Sequence, residues 1–260
     1  GRSDHEHSLL GQESDAMKNA LAALLFSVAS LFAQADYSTL LLLSPPAAAG
    51  ATYLIEEGFE EVDGGGALGG ATDGYDSALV TAETGTVDND YATSPAPLLG
   101  SYSAYLDSTS GDKQIRWVLG SSQTTIHAYF QFNDATLPSD ANQPIFSISD
   151  SGGSDQCQLY NRTAGTLQIF NGGSSATTVG TLSASTTTHV WVTWSTDGSA
   201  SVGFSTDGTK PTSGNNYASV AGGSGTAASV RIQLRSVSGT GLQMIYDRLL
   251  VDDAAIGSNP

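Results

Sequence analysis

The sequence predicts an all-β chain in which two antiparallel sheets form a jelly-roll sandwich. Three observations indicate this fold class. From residue 56 onward, short runs alternate apolar and polar residues with a period of two. Clusters of Gly, Ser, Asp and Asn separate these runs at fairly regular spacing. No window in that part of the chain sustains a helical period, so one sandwich of about two hundred residues is expected.

The runs define the expected strands in order. They are SYSAYLD (101–107), QIRWVLG (114–120), TTIHAYFQF (124–132), PIFSIS (144–149), QCQLYN (156–161), TLQIF (166–170), HVWVTWS (189–195), SVGFS (201–205), VRIQLR (230–235) and a closing strand in the stretch QMIYDRLLVDDAAI (243–256). In the third run Ile126, Ala128 and Phe130 share one face, which we expect to be the core face. His127 and Tyr129 then point outward. Trp191 and Trp194 fall on opposite faces, so one is expected in the core.

Composition excludes some functions. The 260 residues contain 9 Lys and Arg against 26 Asp and Glu, which gives a formal net charge of −17. Nucleic acid is therefore not an expected partner, because phosphate neutralisation needs basic clusters. The lone Cys157 excludes an intramolecular disulfide and is expected to be a small apolar residue in a strand.

The N-terminal region differs from the rest of the chain. Residues 1–16 are a polar head or an upstream remnant. Residues 17–35 combine one Lys, an apolar run and the ending Ala33-Gln34-Ala35, which is typical of a secretory signal peptide. Residues 36–53 form a linker. We therefore expect a secreted or cell-surface protein. The alternative is a hydrophobic anchor helix buried in a virion or filament, where copies of the chain would be partners.

Two stretches resemble laminin-G-like domains of the concanavalin A-like lectin and glucanase superfamily. THVWVTWSTDGSASVGFSTDG (188–208) is similar to the family's central hairpin, with turns at Asp197-Gly198 and Asp207-Gly208. VRIQLRSVSGTGLQMIYDRLLVDDAAIG (230–257) is similar to its end, and EEGFEE resembles its opening strand. The resemblance covers residues 54–260. An acidic, Gly-rich insert at 62–91 departs from the pattern and has no assigned role.

The resemblance implies that the first and last strands lie side by side. Glu60 and Asp247 would meet at this seam, with Asp107 near them. Several carboxylates at one rim repel one another unless a cation separates them. Related modules often hold a structural calcium there, and carboxylate oxygens suit this ion. The alternative is a set of solvated carboxylates and an ordinary ion pair of Arg248.

A catalytic site is not expected. The glucan-cleaving enzymes of this fold use an alternating Glu-x-Asp-x-Glu strand, which the sequence lacks. The lyase branch needs a basic motif with a paired His and Tyr, to which Arg116, His127 and Tyr129 are only loosely similar. A polysaccharide lyase or glycoside hydrolase with an unrecognised site remains an alternative.

Outward residues of the central strands, which we expect to share one face of the sandwich, suggest a ligand instead. Arg116, His127, Tyr129 and Tyr160 combine aromatic rings with polar donors, which is what sugar binding uses. We therefore expect a non-catalytic glycan-binding or adhesion module, whose partner is a polysaccharide or cell-surface glycan. The outward Arg116, Arg231 and Arg235 leave an acidic glycan open as the ligand. The other alternative is a structural subunit of a virion or extracellular assembly.

Overall fold

A computed structural model describes residues 53–59, 80–84, 87–88, 97–100, 103–107, 112–138, 142–173, 175–222, 224–234 and 243–260. Of residues 80–84, 87–88 and Asp107 it describes the backbone only. All described residues belong to one compact unit of the chain, Thr52–Pro260. The predicted polar head, signal peptide or anchor, and nearly all of the linker therefore lie outside the described residues, as does Glu60.

The described residues form fifteen strands. They are β1 (Ile55–Glu57), β2 (Val80–Thr84), β3 (Val87–Asp88), β4 (Ala104–Asp107), β5 (Lys113–Gln123), β6 (Thr125–Asp134), β7 (Gln143–Ser149), β8 (Asp155–Arg162), β9 (Thr166–Asn171), β10 (Thr177–Thr181), β11 (Thr188–Ser195), β12 (Ser199–Ser205), β13 (Tyr217–Ala221), β14 (Ala227–Leu234) and β15 (Gln243–Asp252). A 3-10 turn at Thr163–Gly165 is the only helical element in these ranges. Accordingly, no helix among the described residues is long and apolar enough to cross a membrane.

The strands pair into two antiparallel sheets, as the sequence predicts. Sheet A has the order β13-β12-β11-β6-β15-β4-β3, and β1 also pairs with β15. Sheet B has the order β10-β9-β8-β7-β14-β5-β2. The expected runs all coincide with strands. β10 and β13 were not expected, and the acidic insert supplies β2 to sheet B and β3 to sheet A.

One hydrophobic core fills the space between the sheets. Ile126, Ala128 and Phe130 point into it, as the alternation in the third run predicts. Trp194 is fully buried there, whereas Trp191 lies on the other face of the same strand. Cys157 is buried in this core, and burial raises the pKa of its thiol to about 12. The residue is thus a small apolar core residue with a suppressed thiolate.

The chain passes from sheet B to sheet A between β5 and β6. Thr124 alone separates these strands, yet β5 pairs with β14 and β2 while β6 pairs with β11 and β15. The outward residues of β5 and β6 therefore point to opposite sides of the sandwich, although the strands are adjacent in sequence.

Strand β15 is central to sheet A. One of its edges pairs with β6 throughout, and its other edge pairs first with β4 and then with β1. The first and last strands are thus neighbours, as expected, with Glu57 opposite Leu249. A β-bulge interrupts β15, because Asp247 faces Gln131 while Leu250 faces Tyr129.

The bulge explains how an amphipathic strand accommodates several charges. Met244 and Tyr246 point into the core before the bulge, and Leu249 and Val251 do so after it. Arg248 occupies the extra position and is only half-buried. The inward pattern therefore shifts by one residue, and no charged side chain of β15 enters the core.

Residues 253–260 lie across the outer face of sheet A. Ile256 packs against Tyr129, Trp191 and Leu250. Trp191 Nε1 donates to Gly257 O at 2.9 Å, and Lys210 Nζ donates to Ile256 O at 2.7 Å. This C-terminal segment therefore covers a second, smaller apolar cluster outside the main core.

Candidate functional site

The predicted glycan-binding residues do not share one face, and this prediction is wrong. His127 and Tyr129 lie on the outer face of sheet A, whereas Arg116 and Tyr160 lie on the outer face of sheet B. The two faces point away from each other across the core. The error arises because period-2 alternation identifies inward and outward residues but cannot tell to which sheet a strand belongs. The same separation means that Arg116, His127 and Tyr129 do not assemble the lyase-like set.

On sheet A, the outward aromatic residues are covered rather than open. Tyr129 is 1 % exposed and Trp191 is 2 % exposed, because Ile256 packs over them. The Tyr129 hydroxyl lies 2.8 Å from His189 Nδ1 and accepts a hydrogen bond from Gln131 Nε2 at 3.1 Å. The Tyr129 half of the predicted site is therefore a packed cluster that offers little ring surface to a ligand.

The electrostatics agree with this burial. Burial raises the pKa of Tyr129 and lowers the pKa of His189, whose charged form Arg248 further disfavours and Asp207 favours. Burial and Lys210 together lower the pKa of His127, against the opposite effects of Asp252 and Asp253. His127 Nδ1 lies 3.0 Å from Thr193 Oγ1. Both imidazoles thus favour the neutral form and act as structural hydrogen-bonding groups.

On sheet B, outward side chains form a row across five neighbouring strands. The register aligns, in order, Arg116 on β5, Arg231 on β14, Ser147 on β7, Gln158 on β8 and Phe170 on β9. Neighbouring strands are about 4.8 Å apart, so four intervals span about 19 Å. We call this row, with Tyr160, Arg162 and Asp155 beside it, the sheet-B face.

Hydrogen bonds hold the polar side chains of the sheet-B face in place. Arg231 donates to Ser147 Oγ at 3.1 Å and to Ser149 Oγ at 2.7 Å, and forms an ion pair with Asp155. Gln158 Nε2 donates to Asp155 Oδ2 at 2.6 Å. The Tyr160 hydroxyl donates to Gln158 Oε1 at 3.1 Å. The chain from Arg231 to Tyr160 is therefore ordered before any ligand arrives, which lowers the entropy cost of binding.

An aromatic pair lies at one end of the row. The Tyr160 and Phe170 rings meet edge to face with centroids 4.9 Å apart, and both side chains remain partly exposed. Phe170 was not among the predicted ligand-binding residues. The alternation of TLQIF, with Leu167 and Ile169 in the core, places Phe170 outward and could have identified it.

The charge of the sheet-B face differs from that of the whole chain. Its outward charged side chains include Arg116, Arg162 and Arg231 against the single Asp155. Interactions between exposed charges fade over about 8–10 Å at physiological salt, so the local charges dominate what a ligand experiences. The face therefore suits an acidic ligand although the chain is strongly acidic.

The predicted calcium residues are only partly described. Asp107 pairs with Gln243, four residues before Asp247 on β15, so these two residues are not neighbours in the sheet. Asp247 is buried, and its carboxylate accepts hydrogen bonds from Leu99 N at 2.8 Å, Ser103 Oγ at 2.7 Å and Arg248 N at 2.7 Å. Across the described ranges no three His, Cys, Asp or Glu side chains form a metal-binding group. Calcium at the seam stays a prediction, because Glu60 lies outside those ranges.

Comparison with known proteins supports the fold. No protein-family model matches the chain, and no curated protein matches it. A botulinum neurotoxin serotype C1 binding domain is similar in structure, with a TM-score of 0.52 and 9% identity over 78% of this chain and 49% of that one. A second similar structure is of botulinum neurotoxin type C, whose cell entry is described as dependent on interaction with two ganglioside molecules. Its TM-score is 0.51, with 10% identity over 74% of this chain and 48% of that one. A third is the binding domain of botulinum neurotoxin DC in complex with SialylT. Its TM-score is 0.51, with 8% identity over 79% of this chain and 49% of that one.

This chain spans about half the length of those structures. At such low identity the likeness shows the fold alone, a β-sandwich. It agrees with the concanavalin A-like architecture that the sequence resemblance implies, while the narrower laminin-G-like assignment stays a prediction.

Proposed function

We propose that this chain is a non-catalytic glycan-binding module of an exported protein, and that it binds an acidic polysaccharide along the sheet-B face. One observation carries the proposal: the row from Arg116 to Phe170 places guanidinium, hydroxyl, amide and aromatic groups at matched register across five strands. A surface about 19 Å long fits several sugar units of an extended chain better than one ring.

Each group has a definite task in this proposal. The partly exposed rings of Tyr160 and Phe170 cover the apolar face of a sugar, which contributes on the order of 1 kcal/mol. The Arg116 guanidinium donates to a carboxylate or sulfate of the polymer, and such charge-assisted hydrogen bonds contribute about 1.5–3 kcal/mol. The partly exposed Gln158 amide pairs with sugar hydroxyls, while the buried Ser147 hydroxyl holds Arg231 in place beneath the ligand.

The structural comparisons support the same class of ligand. Two of the similar structures are described with a ganglioside or with SialylT. A shared fold does not place their sites on this chain, because one fold hosts many functions. The assignment therefore rests on the sheet-B face, and the comparisons add only that a sandwich of this shape accommodates glycan sites.

A matched pair of tyrosine variants tests the proposal. Calorimetry of the full chain with a linear polyuronate should show that Tyr160→Ala weakens binding several-fold. Tyr217→Ala, which removes a partly exposed ring from β13 of sheet A, should leave the affinity unchanged. Melting temperatures of both variants check that the sandwich is intact.

Salt supplies a second, independent measurement. Affinity should fall as salt rises from low to physiological concentration, because exposed charge pairs are screened. Arg116→Gln should make the affinity both weaker and less dependent on salt. Equal affinities for wild type, Tyr160→Ala and Arg116→Gln would exclude the sheet-B face as the glycan site.

A further inference from the structure

A cleft opens on β15 where this strand changes partners. β4 pairs with Gln243–Tyr246 and β1 pairs with Leu249–Val251, so both neighbours end beside the Asp247–Arg248 step. The cleft has a volume of about 540 Å³, within the 300–1,000 Å³ typical of small-molecule sites. Its lining includes Glu56, Gly58, Leu99, Asp247, Arg248 and Leu250.

Two strained residues flank this cleft. Arg248 has φ of 46° and Phe59, next to Gly58, has φ of 56°, so both non-Gly residues occupy the left-handed region. Such conformations are energetically unfavourable for L-residues and persist at sites where the geometry itself is useful. Bulges likewise occur where a side chain is re-aimed. Here the bulge turns the Arg248 side chain to the cleft instead of the core.

The buried Asp247 carboxylate joins the cleft's walls. Oδ2 accepts from Leu99 N in the loop that forms one wall, and Oδ1 accepts from Arg248 N at the bulge. Ser103 Oγ donates to the same Oδ2 and extends this link towards β4. A charged group inside the protein thus fixes the spacing of the two walls, and Asp247 is a positioning residue rather than a ligand contact.

The groups at the cleft surface remain available for a ligand. Within the described part of the chain, neither the Glu56 carboxylate nor the Arg248 guanidinium makes a hydrogen bond or ion pair. Glu56 is exposed, and Arg248 is half-buried. Leu99 is 46% exposed and is the one exposed large hydrophobic residue among those described. A strong acceptor, a strong donor and an apolar side chain therefore border one small volume.

We propose that this cleft binds one neutral sugar ring, as a site separate from the sheet-B face. A sugar hydroxyl both donates and accepts, so it can satisfy the Glu56 carboxylate and the Arg248 guanidinium together. Leu99 covers the ring's apolar C–H face. An acidic sugar is disfavoured because three of the described lining residues, Glu56, Glu57 and Asp247, are acidic, whereas only Arg248 among them is basic. The inference does not depend on the proposed function of the sheet-B face.

Titration of the intact chain with D-glucose, D-galactose, D-mannose and D-glucuronate tests this site, with saturation-transfer NMR as the readout. We expect at least one neutral hexose to bind more tightly than glucuronate. Arg248→Gln and Glu56→Gln should each weaken that hexose at least five-fold. Leu99→Ser, a change at an exposed position that does not threaten folding, should weaken it as well.

The matched control is Tyr160→Ala, which should leave hexose binding unchanged while it weakens the polyuronate. Failure of the sheet-B proposal would appear only in polyuronate binding, so the two proposals are distinguishable. Three results would overturn the cleft proposal: no neutral hexose binds the wild type, glucuronate binds more tightly than every neutral hexose, or the Glu56, Leu99 and Arg248 variants all retain wild-type affinity.

Discussion

At the scale of single residues, Asp134 shows how burial and hydrogen-bond donors together set the pKa of a carboxyl group. Asp134 accepts from Thr136 N at 3.1 Å and from Asn161 Nδ2 at 2.6 Å. Burial nevertheless raises the pKa of Asp134 to about 7, since these two bonds offset only part of its desolvation.

Stability should therefore depend on pH through Asp134. Its folded pKa of about 7 exceeds the ordinary value of 3.8, so the folded state holds a proton that the unfolded state loses. This contribution is fully present below pH 4 and is lost as pH rises towards 7, and it amounts to a few kcal/mol. Urea unfolding at pH 5 and pH 8 should show that Asp134→Asn removes this component.

The control for Asp134 is Asp197→Asn, an exposed carboxylate between β11 and β12 whose pKa is lowered by hydrogen bonds from Ser199 and Ser195, so that it is ionised at both pH values. It should keep the wild-type difference in unfolding free energy between pH 5 and pH 8. If Asp134→Asn also kept that difference, Asp134 would be ionised in the folded protein at pH 5.

Calcium at the seam calls for a test of its own. If Glu60 and Asp247 hold the ion, the melting temperature should rise with millimolar calcium and fall with chelator, because a ligand of the folded state alone stabilises it. Glu60→Gln should abolish that response. A wild-type protein that melts identically in calcium and in chelator would instead favour the alternative of carboxylates without an ion.

At the scale of elements, the bulge in β15 holds Arg248 in an energetically unfavourable backbone conformation. Arg248 holds φ of 46°, which costs an L-residue about 1–2 kcal/mol relative to the ordinary region and costs Gly almost nothing. Arg248→Gly should thus leave the unfolding free energy unchanged or raise it by up to about 1 kcal/mol. Gln243→Gly, at a regular position of the same strand, should lower it by about 0.5–1 kcal/mol.

Urea unfolding of both Gly variants measures the difference. A loss of 2 kcal/mol or more in Arg248→Gly would mean that the Arg side chain stabilises the fold, and that its strained backbone is not retained for a ligand.

The elements also show what sequence could predict. Alternation in β6 identified its core face correctly, and alternation in β11 placed Trp191 and Trp194 on opposite faces without deciding which of the two lies in the core. It could not show that the single residue Thr124 carries the chain from one sheet to the other. Nor could it show the bulge, since Arg248 is not a residue type that favours a positive φ.

The candidate sites were likewise predictable only in part. Outward positions on each strand were predictable from period two, so Arg116 and Tyr160 were identified. Their grouping was not, because it depends on strand order, in which β5 and β8 are separated by β14 and β7. Burial of Tyr129 depends on Ile256, more than a hundred residues later in the sequence, and no local pattern reports that contact.

At the scale of the whole molecule, the outer faces of the two sheets differ. The C-terminal segment covers Tyr129 and Trp191 on sheet A, whereas the Tyr160 and Phe170 rings remain partly exposed on sheet B. Ile256→Ala should loosen the cover and lower stability by about 2 kcal/mol, because it removes a buried aliphatic side chain. Acrylamide should then quench Trp191 emission more strongly, while Trp117 and Trp194 stay protected in the core.

Ala254→Ser changes an exposed residue of the same segment and should alter neither stability nor quenching. Wild-type quenching in Ile256→Ala would show that Trp191 is shielded without the Ile256 side chain.

The position of β15 in sheet A also affects how the chain can fold during its synthesis on the ribosome. A nascent chain that has emerged only as far as Leu234 contains β4 and β6 but not the strand that lies between them. Both would expose unpaired edges until β15 arrives, and unpaired edges invite association between chains. Sheet A is therefore completed only after residues 243–252 leave the exit tunnel. Pauses in translation before that point would prolong the interval in which the nascent chain is prone to aggregate. Chaperones would be needed most during that interval.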